Sequence, residues 1–226
     1  MNNIVIFTGA GISAESGIKT FRDSGGLWEE YRIEDVATPE AFATNPELVL
    51  KFYNIRRKQL INSAPNIAHY ALAKLEKLFN VSIITQNVDN LHERSGSKKV
   101  LHLHGELMEA RSIIDGTIYP LKGSELNIGD KCNQGIQLRP NIVWFGEDVP
   151  NMNVAINIVK QANIFIVIGT SLNVYPAASL INYAINSKRI IIIDPNANNQ
   201  NDFEIIKEKA TVAIPKLVND LLSNEK

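Results

Sequence analysis

Ile4-Val5-Ile6-Phe7-Thr8-Gly9-Ala10-Gly11-Ile12-Ser13-Ala14 opens with a short apolar, β-branched run that ends in a glycine turn. The run reads as a strand and the turn as the pattern G-x-G-x-x-A, placed between a strand and a helix. Glycines at that position let a backbone approach a pyrophosphate, and a helix N-terminus stabilises its charge. The plain alternative is a glycine turn with no ligand. Further along lie four similar apolar runs: Val81 to Ile84, Val100 to Leu103, Ile164 to Ile168 and Ile190 to Ile193. Such runs suit strands buried on both faces of a parallel sheet. Helical patterns separate several of them. Asn66 to Phe79 repeats apolar residues at three and four, and helices are expected to start at Pro176 and at Pro215. The expected fold is therefore α/β, a Rossmann-like parallel sheet with helices on both faces.

Two stretches break the alternation. Residues 24 to 62 hold no obvious core strand and include a long helix from about Pro46; residues 106 to 140 are polar and turn-rich. Both are expected to leave the sheet and form a small second module. The large part is then about 1–23, 63–105 and 141–226, within one catalytic domain spanning 1–226. Composition sets further bounds. Lys and Arg total 23 against 24 Asp and Glu, a net charge of −1 that predicts no strong binding to nucleic acid or anionic membranes. No apolar run reaches the ~18 residues of a membrane span, and because Met1-Asn2-Asn3 carry no Lys or Arg and a strand-like run starts at once, a cleaved signal peptide is not expected. One cysteine, Cys132, excludes an internal disulfide. A cytoplasmic protein is the simplest expectation.

The glycine turn departs from a nicotinamide dehydrogenase. There a second strand and a ribose-binding acid follow within ~20 to 30 residues, whereas here the next convincing strand starts at Val81. In its place stands GAGISAESGIKTFRDSGGLW, Gly9 to Trp28. This stretch resembles the opening motif of the sirtuins, the NAD-dependent protein lysine deacylases. The resemblance continues in TQNVDNLHERSG (Thr85 to Gly96), LHLHGEL (Leu101 to Leu107), RPNIVWFGE (Arg139 to Glu147) and GTSLNVYPAA (Gly169 to Ala178), in family order. It implies NAD as a consumed co-substrate, held with an acyl-lysine protein or peptide between the large domain and a smaller one.

Roles follow from the resemblance residue by residue. A lone histidine is usually unremarkable, but His104 in its HG motif would be the general base, as a group titrating near neutrality can be. The family reaction has the acyl oxygen attack the nicotinamide ribose C1′, nicotinamide leave, and a ribose hydroxyl deprotonated by the histidine attack the acyl carbon. Deacylated lysine and O-acyl-ADP-ribose result. Gln86 and Asn87 would contact the ribose or position water, and Asp89 would hold the nicotinamide carboxamide; helix capping explains one such polar residue, not three. Phe21 would cover the reactive ribose, Arg22 would bind phosphate or order its loop, and Trp28 closes the same motif. Gly9, Ala10, Gly11 and Ser13 would line the dinucleotide. Gly169, Thr170 and Ser171 would face its adenosine half, with Asp194 or Asn196 on that ribose and the Ala210 backbone on the adenine. Val143, Phe145, Gly146 and Glu147 would add substrate backbone as a strand, opposite Asn173 and Val174.

The acyl group is addressed by the helix from Pro46. At about 100° per residue, Leu48, Phe52 and Ile55 form an apolar stripe, flanked by Val49 and Leu60. Arg56 projects inside that sector with Tyr53 at its edge, while Arg57 points away as a surface residue. A snorkelling Arg56 is the bland reading. Tyr53-x-x-Arg56, however, matches the motif of sirtuins that prefer succinyl-, malonyl- or glutaryl-lysine. Ser24 stands where that class often has Ala. Most sirtuins also carry two CxxC pairs around a structural zinc, which needs about four ligands. This chain has one cysteine, so a zinc-free module is expected, held by apolar packing through Ile113, Ile118, Tyr119 and Leu121, with Cys132 a lone thiol. The competing functions are an ADP-ribosyltransferase or NAD hydrolase on the same scaffold, a non-catalytic NAD-binding module and, more distantly, a hydride-transferring enzyme.

Overall fold

The computed structural model describes residues 2–18, 31–198 and 202–224. Its strands are β1 Asn3–Thr8, β2 Asn80–Thr85, β3 Val100–His102, β4 Gly105–Arg111, β5 Ile118–Pro120, β6 Arg139–Ile142, β7 Ile164–Ile168, β8 Arg189–Ile193 and β9 Glu204–Ile206. Its helices are α1 Gly11–Ala14, α2 Ile33–Val36, α3 Pro39–Thr44, α4 Pro46–Asn62, α5 Ile67–Leu75, α6 Leu91–Arg94, α7 Met152–Val159 and α8 Ala210–Asn224, with a 3₁₀ helix at Ala177–Tyr183. Six strands form a parallel sheet in the order β3-β2-β1-β7-β8-β9, and three form a small antiparallel sheet, β5-β4-β6. The first order reverses direction between β1 and β7, as in doubly wound dinucleotide-binding sheets. None of the described helices is long and apolar enough to cross a membrane.

Period-two alternation distributes the apolar runs between two cores. Ile4, Ile6, Ile166, Ile168, Ile191 and Ile193 face α5 and α8, meeting Leu72, Leu75, Ile214 and Leu217. Val5, Phe7, Phe165, Val167 and Ile192 face the other way, onto Ala155 and Val159 of α7 and Leu180 of the 3₁₀ helix. With both faces covered, these strands are apolar throughout their central positions, polar residues standing only at their ends.

Caps set the helix starts. Asn45 accepts from the Leu48 N–H at 3.1 Å, with Pro46 in the first turn of α4. Asn66 accepts from the Ala68 N–H, and His69 Nδ1 accepts in return from the Asn66 N–H, a reciprocal capping box on α5. Two expected helices differ. Pro176 precedes a 3₁₀ turn rather than an α-helix. Pro215 lies inside α8, which begins five residues earlier at Ala210. The bond that proline forfeits is offset by burial of Ala210, Ala213 and Ile214 on the sheet.

The stretch 106–140 is more regular than its sequence. It contains β4, β5 and β6, but the β4–β6 register shifts between Gly105 and Ala110, and β4 buries Leu107 and Ala110 at a spacing of three. That shift erases the alternation by which a strand is read. The edge strand β9, only three residues long, likewise falls outside the expected set. Behind the small sheet Cys132 is a free, buried thiol packed with Leu50, Ala110, Leu126 and Leu138, against which Tyr119 and Leu121 lean. Ile113 and Ile118, expected in that cluster, are 56% and 42% exposed. A second cluster joins α2, α3 and α4 to Val88, Leu91, Leu107 and Trp144, tying the inserted elements to the loop after β2.

Two predictions follow from this packing. Gly169 has φ +61°, and a Cβ there would lie 2.5 Å from the Ile12 nitrogen; Gly116 has φ +72° with open space around it. Both alanine variants carry the left-handed penalty of about 1–2 kcal/mol, but Gly169→Ala also overpacks, by roughly 1–3 kcal/mol. Denaturant unfolding should show Gly169→Ala clearly the less stable, and equal losses would refute the packing argument. Secondly, chelator treatment should leave the melting temperature unchanged; stoichiometric zinc by elemental analysis, with unfolding on its removal, would overturn the apolar account of the small sheet.

Candidate active site

The loops leaving β1 and β7 meet at the carboxyl edge where the strand order reverses. The Gly9 N–H donates to the Ile168 carbonyl and the Gly11 N–H to the Gly169 carbonyl, both at 2.9 Å. Cβ atoms at Gly9 or Gly11 would come within 2.7 Å or 2.6 Å of the second loop. These glycines are therefore required by loop–loop contact, a reason independent of any pyrophosphate. The helix they lead into is also shorter than expected. At four residues, α1 has little dipole to offer an anion.

Next to this contact lies the loop after β2. The Asn87 side-chain amide donates to the Gly9 carbonyl at 3.1 Å and to Ser13 Oγ at 3.2 Å. Its N–H donates to Thr85 Oγ1 at 3.0 Å. Ser13 also bonds Asp89, whose Oδ1 accepts from the Leu91 N–H at 3.1 Å. Burial raises the Asp89 pKa, against the lowering effect of those two donors. Gln86 reaches across to the loop after β7, donating from Nε2 to Thr170 Oγ1 at 3.1 Å. Thus Gly9, Gly11, Ser13, Gln86, Asn87, Asp89, Gly169 and Thr170 form one connected edge. Ala10 belongs to the same turn, and Ser171 is exposed just beyond it.

His104 follows β3 and its Nδ1 lies 3.0 Å from the Gln86 carbonyl. A carbonyl can only accept, so Nδ1 carries the proton and Nε2 is left with a lone pair. Burial lowers the His104 pKa, with the Gln86 carbonyl opposing in part. His102, two residues earlier, repeats the arrangement one carbonyl on. Its Nδ1 lies 3.0 Å from the Asn87 oxygen and its Nε2 lies 2.8 Å from Glu93 Oε1. Burial opposes its charge, but the Glu93 carboxylate outweighs burial and the pKa is raised. Sequence reasoning did not single out His102. The signal was the spacing of two in Leu101-His102-Leu103-His104, which sends both imidazoles to one side. It also passed over His92, buried with Nε2 3.1 Å from Thr8 Oγ1, which in turn donates to Thr85 Oγ1 at 2.8 Å.

On the β8 side, Asp194 Oδ1 accepts from the Asn196 N–H at 2.8 Å, so one carboxylate oxygen shapes its own turn while the Asn196 side chain is exposed. Ala210 is 5% exposed, its methyl in the core, so only its backbone could meet a ligand. Phe21, Arg22, Ser24 and Trp28 lie outside the described residues.

The stretch expected to receive substrate backbone lies just beyond a strand. The strand is Arg139–Ile142, and Val143 to Glu147 runs on into a turn with Gly146 at φ +88°. The Val143, Phe145 and Glu147 N–H groups already bond the His104, Ala37 and Trp144 carbonyls. The Glu147 carboxylate binds Arg139 at 2.6 Å, Arg111 at 3.0 Å and the Trp144 N–H at 2.8 Å. Its evident part is to hold this turn. Asn173 and Val174 are exposed on the loop after β7.

On α4, Tyr53 is 1% exposed, with its hydroxyl bonded by Trp144 Nε1 at 2.9 Å. Arg56 is half-buried, its Cζ 5.7 Å from the Phe52 ring and 5.8 Å from the Tyr53 ring, and close enough to Asp89 to feel its charge. Burial pushes the Tyr53 hydroxyl up to about 12, despite the nearby Arg56. Arg57, expected at the surface, is fully buried. It donates from Nε to the Ser124 carbonyl at 3.2 Å and from Nη2 to Asn54 Oδ1 at 2.7 Å. The segment near Ser124 covers the helix face that a wheel assigns to solvent, whereas Ile55 is 38% exposed. Among the described residues no group of three or more His, Cys, Asp or Glu could hold a metal ion.

The Sir2 family profile matches residues 9–176. An NAD-dependent protein deacylase of Helicobacter pylori strain J99 is 53% identical over 225 residues, covering 98% of this chain and 96% of its own. A Sir2 homologue solved in complex with NAD superposes with a TM-score of 0.90 at 40% identity, over 99% of this chain and 91% of its own. A Sir2 protein solved with a p53 peptide and NAD gives a TM-score of 0.80 at 30% identity, over 97% and 93%. With the glycine contact, the Gln86–Asn87–Asp89 loop and His104 all inside the matched span, the chain belongs to the Sir2 family of NAD-dependent protein deacylases.

Proposed function

We propose that this NAD-dependent lysine deacylase removes acidic acyl groups such as succinyl, as well as acetyl, from protein lysines, with His104 as general base, and yields nicotinamide and O-acyl-ADP-ribose. The observation that carries the base assignment is the Gln86 carbonyl on His104 Nδ1, which leaves Nε2 as the basic atom. The lowered pKa keeps that imidazole neutral at neutral pH.

The residues present fit the dinucleotide. Asp89 offers buried carboxylate oxygens and Asn90 Oδ1 is buried without a hydrogen-bond partner, acceptors suited to a carboxamide NH₂. Gly9 to Gly11 and Gly169 to Ser171 would hold the phosphates and adenosine half, with Asp194 or Asn196 at its ribose and the Ala210 backbone at the adenine. Bound there, NAD supplies an activated ribose carbon with nicotinamide as leaving group. The chain's own part is then orientation and proton transfer. Gln86 and Asn87, fixed by Thr170, Gly9 and Ser13, present amide groups beside the reacting centre. His104 Nε2 takes the proton of a hydroxyl presented to it. Val143 to Glu147 and the loop with Asn173 and Val174 would receive the peptide, a role supported by the p53 peptide bound to the relative at 30% identity. The turn at Gly146 limits that addition to a short stretch. Tyr53 and Arg56 would engage the distal carboxylate, a charge-assisted pair with a hydroxyl donor beside it.

His104→Ala should lower deacylation by about 10²- to 10⁴-fold while NAD binding by calorimetry persists. In the native enzyme kcat/KM should fall only below the ordinary histidine pKa, because the base is protonated at lower pH than a free imidazole. Near-normal turnover in a folded variant would remove His104 from the mechanism. Product mass must also show O-acyl-ADP-ribose, since free ADP-ribose or ADP-ribosylated protein would indicate a different reaction.

Arg56→Met should reduce desuccinylation at least about tenfold more than deacetylation, the worth of a charge-assisted bond of ~1.5–3 kcal/mol. Equal slowing of both peptides, or a wild-type enzyme unable to remove succinyl, would end the acidic-acyl assignment.

A further inference from the structure

Tyr53 sits in an apolar cluster, 1% exposed, yet its hydroxyl must satisfy one proton and its lone pairs. Trp144 Nε1–H is a donor only, and at 2.9 Å it occupies the acceptor side of Tyr53 Oη. The phenolic proton is therefore turned elsewhere. Among the described residues no hydrogen bond from Tyr53 to an acceptor is present, and its neighbour Arg56, 5.8 Å from the ring, is itself a donor. A buried donor without an acceptor is costly, and beside a guanidinium it suits an anionic oxygen.

Trp144 is itself rigidly held. The Arg139 Cζ lies 3.3 Å from the centre of its ring, and Phe42 packs against it at 5.4 Å. Its backbone N–H donates to Glu147, which also grips Arg139 at 2.6 and 3.0 Å. Indole direction is thus set by backbone, stacking and a carboxylate together.

We propose that Trp144 is a specificity-determining residue: its indole N–H fixes the Tyr53 hydroxyl as a donor and so favours acyl chains that end in a carboxylate. This rests on the acidic-acyl reading of Tyr53 and Arg56. Trp144 acts through Tyr53 and is a positioning residue. Without the indole N–H the phenol could rotate its proton away from the substrate, and discrimination would weaken while the ring remained in place.

The test is the ratio of kcat/KM for succinyl-lysine to that for acetyl-lysine peptides. Two changes remove the N–H. Trp144→Phe is the simple one; benzothienylalanine at position 144, introduced by codon suppression, replaces N–H with sulfur at nearly constant shape and guards against misfolding. Each should lower the ratio about threefold to tenfold, as loss of one hydrogen bond does, mainly through a higher KM for the succinyl peptide. Neither should lower it further in a Tyr53→Phe background, since the effect passes through that hydroxyl. An unchanged ratio in the sulfur isostere, or an equal further loss in the Tyr53→Phe background, overturns the proposal. If Tyr53→Phe and Arg56→Met lower the ratio and the isostere does not, only the Trp144 inference falls. If neither Tyr53→Phe nor Arg56→Met moves it, the acidic-acyl reading falls as well.

Discussion

Everything at the carboxyl edge of the large sheet hangs on how closely the β1 and β7 loops approach. Gly11 and Gly169 meet backbone to backbone, and side chains there would occupy space already filled by the opposite loop. That approach brings the Gly9 carbonyl and Ser13 to Asn87 and brings Thr170 to Gln86. The loop after β2 is thereby tied to both sides of the point where strand order reverses. Widening the contact would misplace the amides and, through the Gln86 carbonyl, the ring of His104.

The second constraint runs from the small sheet inward. Glu147, Arg139 and Trp144 form one stacked and hydrogen-bonded unit, and the indole ends on Tyr53 in α4. Arg139 keeps its charge despite burial because Glu147 compensates it; a buried guanidinium without that partner would be strongly unfavourable. The unit links the turn after β6 to the helix bearing Arg56, so the peptide surface and the acyl-end contacts proposed above share a single support.

The parallel core was legible because its strands are buried on both faces. A run such as Ile164-Phe165-Ile166-Val167-Ile168 has little alternative to a central strand. His104 and the loop from Gln86 to Asp89 stood out by residue type in context, and the structure joins them by hydrogen bonds no sequence spacing encodes. Three features were hidden for definite reasons. The register shift in β4 destroyed its periodicity. The wheel put Arg57 in solvent because it cannot know that a segment 67 positions away folds over that face. His102 looked like one more polar residue, although its partner Glu93 comes from a helix nine residues earlier.

The four histidines of the chain all lie in or beneath this edge, and their surroundings divide them. Burial brings His69 down to about 4 and His92 well below the ordinary value, and it lowers His104. Glu93 raises His102. In the unfolded chain all four titrate near 6.5. As pH falls through that value, unfolding takes up protons at His69, His92 and His104 that the folded chain cannot yet accept, and stability drops. Above the unfolded value the sign reverses for His102, whose contribution fades as pH rises through its raised folded pKa. The protein therefore carries an internal proton balance centred near neutrality, set by the same imidazoles that shape its reactive edge.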